Sequence, residues 1–161
     1  MTQTSPEKSA LRAAIIQVTP FQQNCTLLWD DVSKTGVVID PGGDLDDIQR
    51  AIKELGISID KIVLTHGHID HAGGAAELKA ALNVPVEGPH GADRFLLDNL
   101  AKQGAAYGIP AQPVTPDRWL EDGDTVEIAG HVFEVLHCPG HSPGSVVLVN
   151  RANKLIIMGD V

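Results

Sequence analysis

Short hydrophobic runs and helical hydrophobic spacings follow one another along the chain. Near the N-terminus, runs of apolar and β-branched residues bounded by turn residues predict strands at 13–18, 24–29 and 37–40. Because short turns separate these strands, we expect an antiparallel meander. Over 44–55 the apolar residues instead recur at helical spacing, and Gly56 follows as the predicted C-cap of a helix.

A strand followed by a helix comes next. Residues 59–64 predict a buried strand, and the segment after it predicts a helix over 70–82 that Asp70 caps. Gly73 and Gly74 are unfavourable in the first turn of that helix. We therefore expect the backbone there to pack closely against another segment.

The remainder of the chain returns to strands. We predict a short strand at 84–86, a helix at 92–101, a loose segment at 104–108, and strands at 131–137, 145–149 and 155–158. This order is typical of an α/β protein with a mixed sheet and helices on its outer face, within a larger sandwich. We interpret 1–10 as a mobile tail and 11–161 as one domain. Because Val161 directly follows an apolar strand, we expect that domain to be incomplete at the C-terminus.

Charge and composition narrow the class of protein. The chain of 161 residues carries a formal net charge of −9 and no basic cluster, which argues against a nucleic-acid or anionic-membrane surface. No apolar run is long enough to span a membrane, and the N-terminus lacks the apolar core of a signal peptide, so we expect a cytoplasmic protein. In that compartment Cys25 and Cys138 are expected to be reduced.

Four side chains that commonly bind metals lie within six residues after the strand at 59–64, namely His66, His68, Asp70 and His71. In an extended segment, residues two apart point the same way, so His66 and His68 can reach one metal from one side of the loop. Asp70 and His71 follow the bend and point toward a second position. Packing or solvation explains this group poorly, whereas imidazole with carboxylate suits zinc, iron or manganese.

Two later positions offer further ligands. His141 lies in a loop rich in proline and glycine after the strand at 131–137, and Asp160 follows the strand at 155–158. Strand ends that converge at one edge of a sheet are where such sites form. The sequence therefore predicts that both side chains lie near the histidine-rich loop.

Other polar residues near these strands have several interpretations. We interpret His90 and His131 as ordinary hydrogen-bonding histidines. His137 fits either the core or a position that supports the site. Asp40 fits either a turn or helix cap, or a carboxylate that orients a ligand histidine.

Three motifs that contain the candidate ligands, together with two segments near the N-terminus, resemble one protein family. The motifs are 65–71, 139–144 and Gly159-Asp160, and the further segments are 19–25 and 37–43. The chain resembles the metallo-β-lactamase superfamily, and within it the short glyoxalase II-type hydrolases, the hydroxyacylglutathione hydrolase group that lacks an extra helical domain. The resemblance implies an αβ/βα sandwich, of which this chain covers the first half and the opening strands of the second half.

The resemblance also implies two divalent metal ions, with zinc foremost and iron or manganese as alternatives. It assigns the first ion to His66, His68 and His141, the second ion to Asp70 and His71, and both ions to Asp160. In the family a final histidine completes the second site, and we expect it beyond Val161.

The implied activity is hydrolysis of a thioester, foremost an S-acyl-glutathione such as S-lactoylglutathione, by a water molecule shared between two metals. The partner is then a small-molecule glutathione conjugate, and Asp70 is the catalytic residue that helps to orient the water. An aspartate at position 160 favours a thioester or ester hydrolase over a β-lactamase. Two alternatives stay open: a mononuclear iron persulfide dioxygenase, and a non-catalytic metal-binding fragment that forms a homo-dimer through exposed strand edges.

Overall fold

Nine strands in two sheets form the framework of residues 10–161, the part of the chain that the computed structural model describes. The first sheet contains, in sequence order, β1 (Leu11–Val18), β2 (Gln23–Asp30), β3 (Thr35–Ile39), β4 (Ser58–Val63) and β5 (Val86–Glu87). β1, β2 and β3 are antiparallel, which confirms the predicted meander, whereas β3, β4 and β5 are parallel. The second sheet is antiparallel and contains β6 (Thr125–Ile128), β7 (His131–His137), β8 (Val146–Asn150) and β9 (Leu155–Ile157).

The tail predicted at 1–10 lies outside the described residues except for Ala10. The Ala10 carbonyl oxygen accepts a hydrogen bond from the Asp31 amide at 2.9 Å. This residue is therefore held against the first hairpin.

Helices connect the parallel strands and follow the last of them. They are α1 (Leu45–Leu55), α2 (Ile69–Ala72), α3 (Ala75–Leu82), a 3-10 turn (Gly91–Asp93), α4 (Arg94–Asp98) and α5 (Leu100–Tyr107). Gly56 ends α1 in the left-handed conformation with a φ of 65°, as predicted. Within residues 10–161, no helix combines the length and the hydrophobicity needed to cross a membrane.

The helix predicted at 70–82 is two helices, α2 and α3, with a break at Gly73 and Gly74. A Cβ on Gly73 would lie 2.7 Å from the Gly42 carbonyl oxygen, and one on Gly74 would lie 2.6 Å from the Pro41 carbonyl oxygen. The loop after β3 therefore occupies the space that side chains would need. This confirms the expected close packing and explains why the helix is interrupted there.

Two other details of the helix predictions were wrong. His68 rather than Asp70 is the N-cap residue of α2, because the helix begins at Ile69, one residue before Asp70. The segment 104–108, predicted to be loose, is helical as far as Tyr107. Gly104 is a packing position there, since a Cβ on it would overlap the carbonyl oxygen of Ile109.

Two hydrophobic cores lie on opposite faces of the first sheet, because successive side chains of a strand point to opposite faces. The core beneath the helices includes Leu27, Val38, Ile62, Ile48 and Leu78. The core between the sheets includes Leu28, Val37, Val63, Phe133, Val135 and Leu148. The layers are thus helices, first sheet and second sheet. This confirms the predicted first half of an αβ/βα sandwich with strands of the second half.

Several loops meet at one edge of this sandwich. The Asp40 amide, just after β3, donates to the Val63 carbonyl oxygen at 3.0 Å, so the ends of β3 and β4 lie side by side. The Val146 amide of β8 donates to the Thr65 carbonyl oxygen at 2.9 Å and joins the second sheet to the same place. The fold therefore gathers the ends of strands from both sheets around the histidine-rich loop.

Candidate metal centre

All six side chains predicted as ligands meet at this edge. Three overlapping groups have ligand atoms within 4.8 Å of one another: His66, His68 and His141; Asp70, His71 and Asp160; and Asp40, His66 and His71. The structure therefore brings together the two groups that the sequence suggested and adds Asp40 between them.

The first group is arranged around converging ring nitrogens. His68 Nδ1 lies 3.0 Å from His141 Nε2, although the two residues are far apart in the chain. The rings of His66 and His68 are perpendicular, with centroids 5.0 Å apart. Among the described residues, the buried His66 Nε2 has no hydrogen-bond partner. A buried nitrogen without a partner is unfavourable unless something else uses its lone pair, and a metal ion suits that role.

Asp160 lies between the first group and the second. One of its oxygens, Oδ2, is 3.2 Å from His141 Nε2 and 3.8 Å from His66 Nε2. The other oxygen, Oδ1, is 3.1 Å from His71 Nε2, which in turn lies 3.5 Å from Asp70 Oδ2. Each oxygen of this carboxylate therefore faces a different group. Within residues 10–161, no second histidine joins the group of Asp70, His71 and Asp160.

Asp40 fixes the orientation of His71. Its Oδ2 lies 2.9 Å from His71 Nδ1, and the same carboxylate accepts hydrogen bonds from the Thr65 amide at 2.8 Å and the Thr65 hydroxyl at 2.6 Å. Because Nδ1 is engaged, Nε2 of His71 is turned into the site. Of the two roles that the sequence left open, Asp40 thus has the orienting one, and Asp44 is the N-cap residue of α1.

Gln23 is a neighbour of the site that sequence reasoning missed. Its Nε2 donates to the Asn24 carbonyl oxygen at 2.8 Å and lies 3.3 Å from His71 Nδ1. A lone glutamine just before the strand predicted at 24–29 carries no signal of such a position. Only the pairing of β2 with its neighbours places it there.

Burial and charge act differently on the two buried histidines. Burial, together with the neighbouring His71, lowers the pKa of His66 to about 4. Burial also acts to lower the pKa of His71, but the hydrogen bond to Asp40 and the charges of Asp40, Asp70 and Asp160 outweigh it and raise that pKa to about 9. Without metal, His66 therefore offers a neutral imidazole, whereas His71 keeps a proton that the carboxylates stabilise.

The remaining histidines are hydrogen-bonded outside these groups. His90 accepts from the Ala92 amide at 3.0 Å, and His131 Nε2 lies 3.1 Å from the Asp30 carboxylate. His137 stacks on His90 with ring centroids 3.8 Å apart, and its Nε2 donates to the Pro143 carbonyl oxygen at 2.8 Å. His137 therefore braces the loop of His141 from outside.

Two clefts open beside the candidate ligands. One of about 570 Å³ extends from Asp70, His71 and Asp160 to the apolar side chains of Ile156 and Met158. The other, of about 250 Å³, is lined by residues that include Phe21, His68, Asp70 and Tyr107. The rings of Phe21 and Tyr107 meet edge to face at 5.1 Å and are half exposed. Apolar side chains therefore line one approach to the candidate ligands, and aromatic side chains line the other.

Comparisons with known proteins agree with this architecture. The family profile described as the metallo-β-lactamase superfamily matches residues 18–161. The hydroxyacylglutathione hydrolase GloC of Haemophilus influenzae is 41% identical over 149 residues, which cover 91% of this chain and 70% of that protein. The crystal structure of the B3 metallo-β-lactamase BLEG-1 is similar with a TM-score of 0.80 and 30% identity, over 90% of this chain and 70% of that one. The di-iron-bound form of TTHA1623 gives a TM-score of 0.75 and 33% identity, over 89% of this chain and 69% of that one. The protein therefore belongs to the metallo-β-lactamase superfamily.

Proposed function

We propose that the protein hydrolyses thioesters, foremost an S-acyl-glutathione of the S-lactoylglutathione type, at a centre for two divalent metal ions. The observation that carries this proposal is Asp160, whose two oxygens face separate groups of candidate ligands. The name of the Haemophilus influenzae relative, hydroxyacylglutathione hydrolase, supports the choice of a thioester.

The residues present fit such ions. The orphaned Nε2 of His66 and the facing nitrogens of His68 and His141 form one donor set, and the side chains of Asp70 and His71 form another. Histidine with carboxylate accepts zinc, and also iron or manganese. When bound, the ions would supply Lewis acidity toward a carbonyl oxygen and make a water molecule acidic near neutral pH.

The chain's own side chains have distinct tasks in this proposal. Because its pKa is about 4, His66 is already neutral at physiological pH and can act as a ligand, whereas His71 must release its proton first. Asp70 faces the larger cleft, where its carboxylate can accept the proton of the attacking water. The water oxygen bonds to the thioester carbonyl carbon, the C–S bond breaks, and the sulfur leaves as a thiolate that takes up a proton from solvent.

Hydrolysis of β-lactams is a second candidate. The likeness to BLEG-1, a protein named as a B3 metallo-β-lactamase, favours it. The aspartate at position 160 favours the thioester instead, following the resemblance described above. A comparison of substrates on one preparation separates the two.

The test uses the purified chain, stripped with a chelator and reloaded separately with zinc, iron(II) or manganese. Metal content per chain is measured, and rates are compared on S-lactoylglutathione, a β-lactam, a lactone and glutathione persulfide. We expect His66, His68 and His141 to hold one metal firmly, and a second metal to bind more weakly, because no second histidine joins the group of Asp70, His71 and Asp160 among residues 10–161. Hydrolysis of the thioester should be faster than turnover of the other substrates. A chain that takes up no metal refutes the proposal, and consumption of persulfide with oxygen identifies the dioxygenase alternative.

Two variants test the ligand assignment. His66→Ala removes a proposed ligand, so metal content and thioester hydrolysis should fall together. His131→Gln changes a histidine that contacts Asp30 in the sheet, away from the candidate ligands, and should leave both quantities near the wild-type values. Full activity in His66→Ala would contradict the assignment.

A further inference from the structure

A buried carboxylate joins the two loops that carry the first group of candidate ligands. Asp93, the last residue of the 3-10 turn and the N-cap residue of α4, is fully buried. Its Oδ2 accepts hydrogen bonds from the Gly67 amide at 2.9 Å and the Ser142 hydroxyl at 2.8 Å, and its Oδ1 accepts one from the Gly144 amide at 2.6 Å. Gly67 belongs to one ligand loop, and the other two donors belong to the other loop.

The packing around this carboxylate leaves no room for side chains in the loops. A Cβ on Gly144 would lie 2.6 Å from Asp93 Cγ, and a Cβ on Gly67 would lie 2.8 Å from Leu96 Cβ in α4. Both glycines therefore permit the loops to close on the start of α4. The Ser142 hydroxyl is itself held 2.8 Å from the Ser145 hydroxyl.

We propose that Asp93 is a positioning residue, which sets the distance between His66 and His68 on one loop and His141 on the other. Gly67 separates the first two histidines in the chain, and Ser142 directly follows the third. No ion pair with a cationic side chain involves Asp93 among residues 10–161. The hydrogen bonds to the loops therefore have to stabilise its buried charge, which makes them strong and directional.

The proposed role of Asp93 requires a carboxylate, because both of its oxygens accept hydrogen bonds. An asparagine has nearly the same shape, but its amide nitrogen donates and cannot accept. In Asp93→Asn at least one of the three donors loses its acceptor, and the amide meets a backbone N–H at close range. We expect the two loops to separate, so that His68 and His141 no longer converge at 3.0 Å.

The inference rests on the ligand assignment under the proposed function, and its test measures binding rather than turnover. Cobalt(II) is titrated into the metal-free full chain in competition with a chelator, and its visible absorption reports the coordination geometry. For Asp93→Asn we expect cobalt binding weakened roughly 10- to 100-fold, the range typical of residues that orient metal ligands, with an altered spectrum. Ser142→Ala removes a single donor, so we expect a smaller loss of affinity.

The matched control is Asp30→Asn. Asp30 is also a buried carboxylate that accepts backbone amides, those of Val32 and Ser33, but it lies at the opposite end of β2. We expect this variant to lose stability without a change in cobalt affinity or spectrum. If both aspartate variants bind cobalt equally, the positioning role is refuted. If Asp93→Asn does not fold, Ser142→Ala decides, and wild-type affinity and spectrum in it refute the role.

Failure of the inference differs from failure of the proposed function. A wild-type chain that binds no cobalt overturns both. A wild-type chain that binds cobalt, together with Asp93 and Ser142 variants that bind it identically, overturns only the role of Asp93.

Discussion

The metal-free protein should become less stable as the pH rises from about 6.5 to about 9. The folded-state pKa of His71 is raised from the ordinary value of 6.5 to about 9, so over this interval the folded chain holds a proton that the unfolded chain has lost. The stabilisation is fully present below 6.5 and disappears as the pH passes through the folded-state value. At about 1.4 kcal/mol per pH unit, the loss is on the order of 3 kcal/mol.

His66 sets the opposite trend on the acid side. Its pKa is lowered to about 4 in the folded chain. Between pH 4 and 6.5 the unfolded chain therefore binds a proton at this histidine, whereas the folded chain does not. Its contribution to stability is present above 6.5 and is lost as the pH falls. The combined contribution of these two histidines to the free energy of unfolding is therefore greatest near pH 6.5.

The assay is urea denaturation of chelator-treated protein across this pH range, followed by circular dichroism. His71→Gln cannot hold the extra proton, so its free energy of unfolding should vary much less between pH 6.5 and 9. A wild-type free energy of unfolding that stays constant or rises over that interval refutes the reasoning about His71.

Three further predictions follow from the same edge of the sandwich. A metal bound at His71 must displace its proton, so binding of a second metal should release protons, and its affinity should rise with pH up to about 9. Calorimetry in buffers of different ionisation enthalpy measures the protons released. A metal affinity that does not change with pH contradicts this prediction. In Gly42→Ala the new Cβ overlaps the Asp70 carbonyl oxygen, so we expect the free energy of unfolding to fall by about 1–3 kcal/mol and the metal content to decrease. Gly91→Ala is the control: its Cβ would meet open space, so it should change neither quantity. Burial and, to a smaller extent, the charge of Asp40 raise the pKa of the Cys25 thiol. A thiol reagent should therefore label only Cys138 in the native protein and both cysteines in urea. Rapid labelling of two thiols in the native protein contradicts this prediction.

Local patterns in the sequence were sufficient to predict the strands and to select the candidate ligands. His66, His68, Asp70 and His71 lie within six residues of the chain, and a strand followed by a loop fixes their relative directions without knowledge of the rest of the fold. The strands could be predicted because they are short apolar and β-branched runs bounded by turn residues, and β3 and β8 are accordingly buried along most of their length. The prediction of a sandwich followed from their order.

Structural features that depend on contacts between distant segments could not be predicted from the sequence. Gly73 and Gly74 predicted a close contact, but the local sequence does not identify the segment that makes it, which is the loop containing Gly42. Asp93 looks like an ordinary polar residue at the start of a helix, since its donors lie 26 to 51 residues away. Gln23 was missed for the same reason.

The carboxylates that surround His71 have a consequence for the order in which metal and substrate would bind under the proposed function. Asp40, Asp70 and Asp160 lie within 3.5 Å of its ring nitrogens, in a protein of formal net charge −9. In the metal-free state this edge attracts cations and repels anions, with a range of about 10 Å at 0.1 M salt. Under the proposed function, two divalent cations would reverse the local sign, and only then would the cleft favour an anionic molecule. Metal loading would therefore control electrostatically whether a negatively charged substrate can bind.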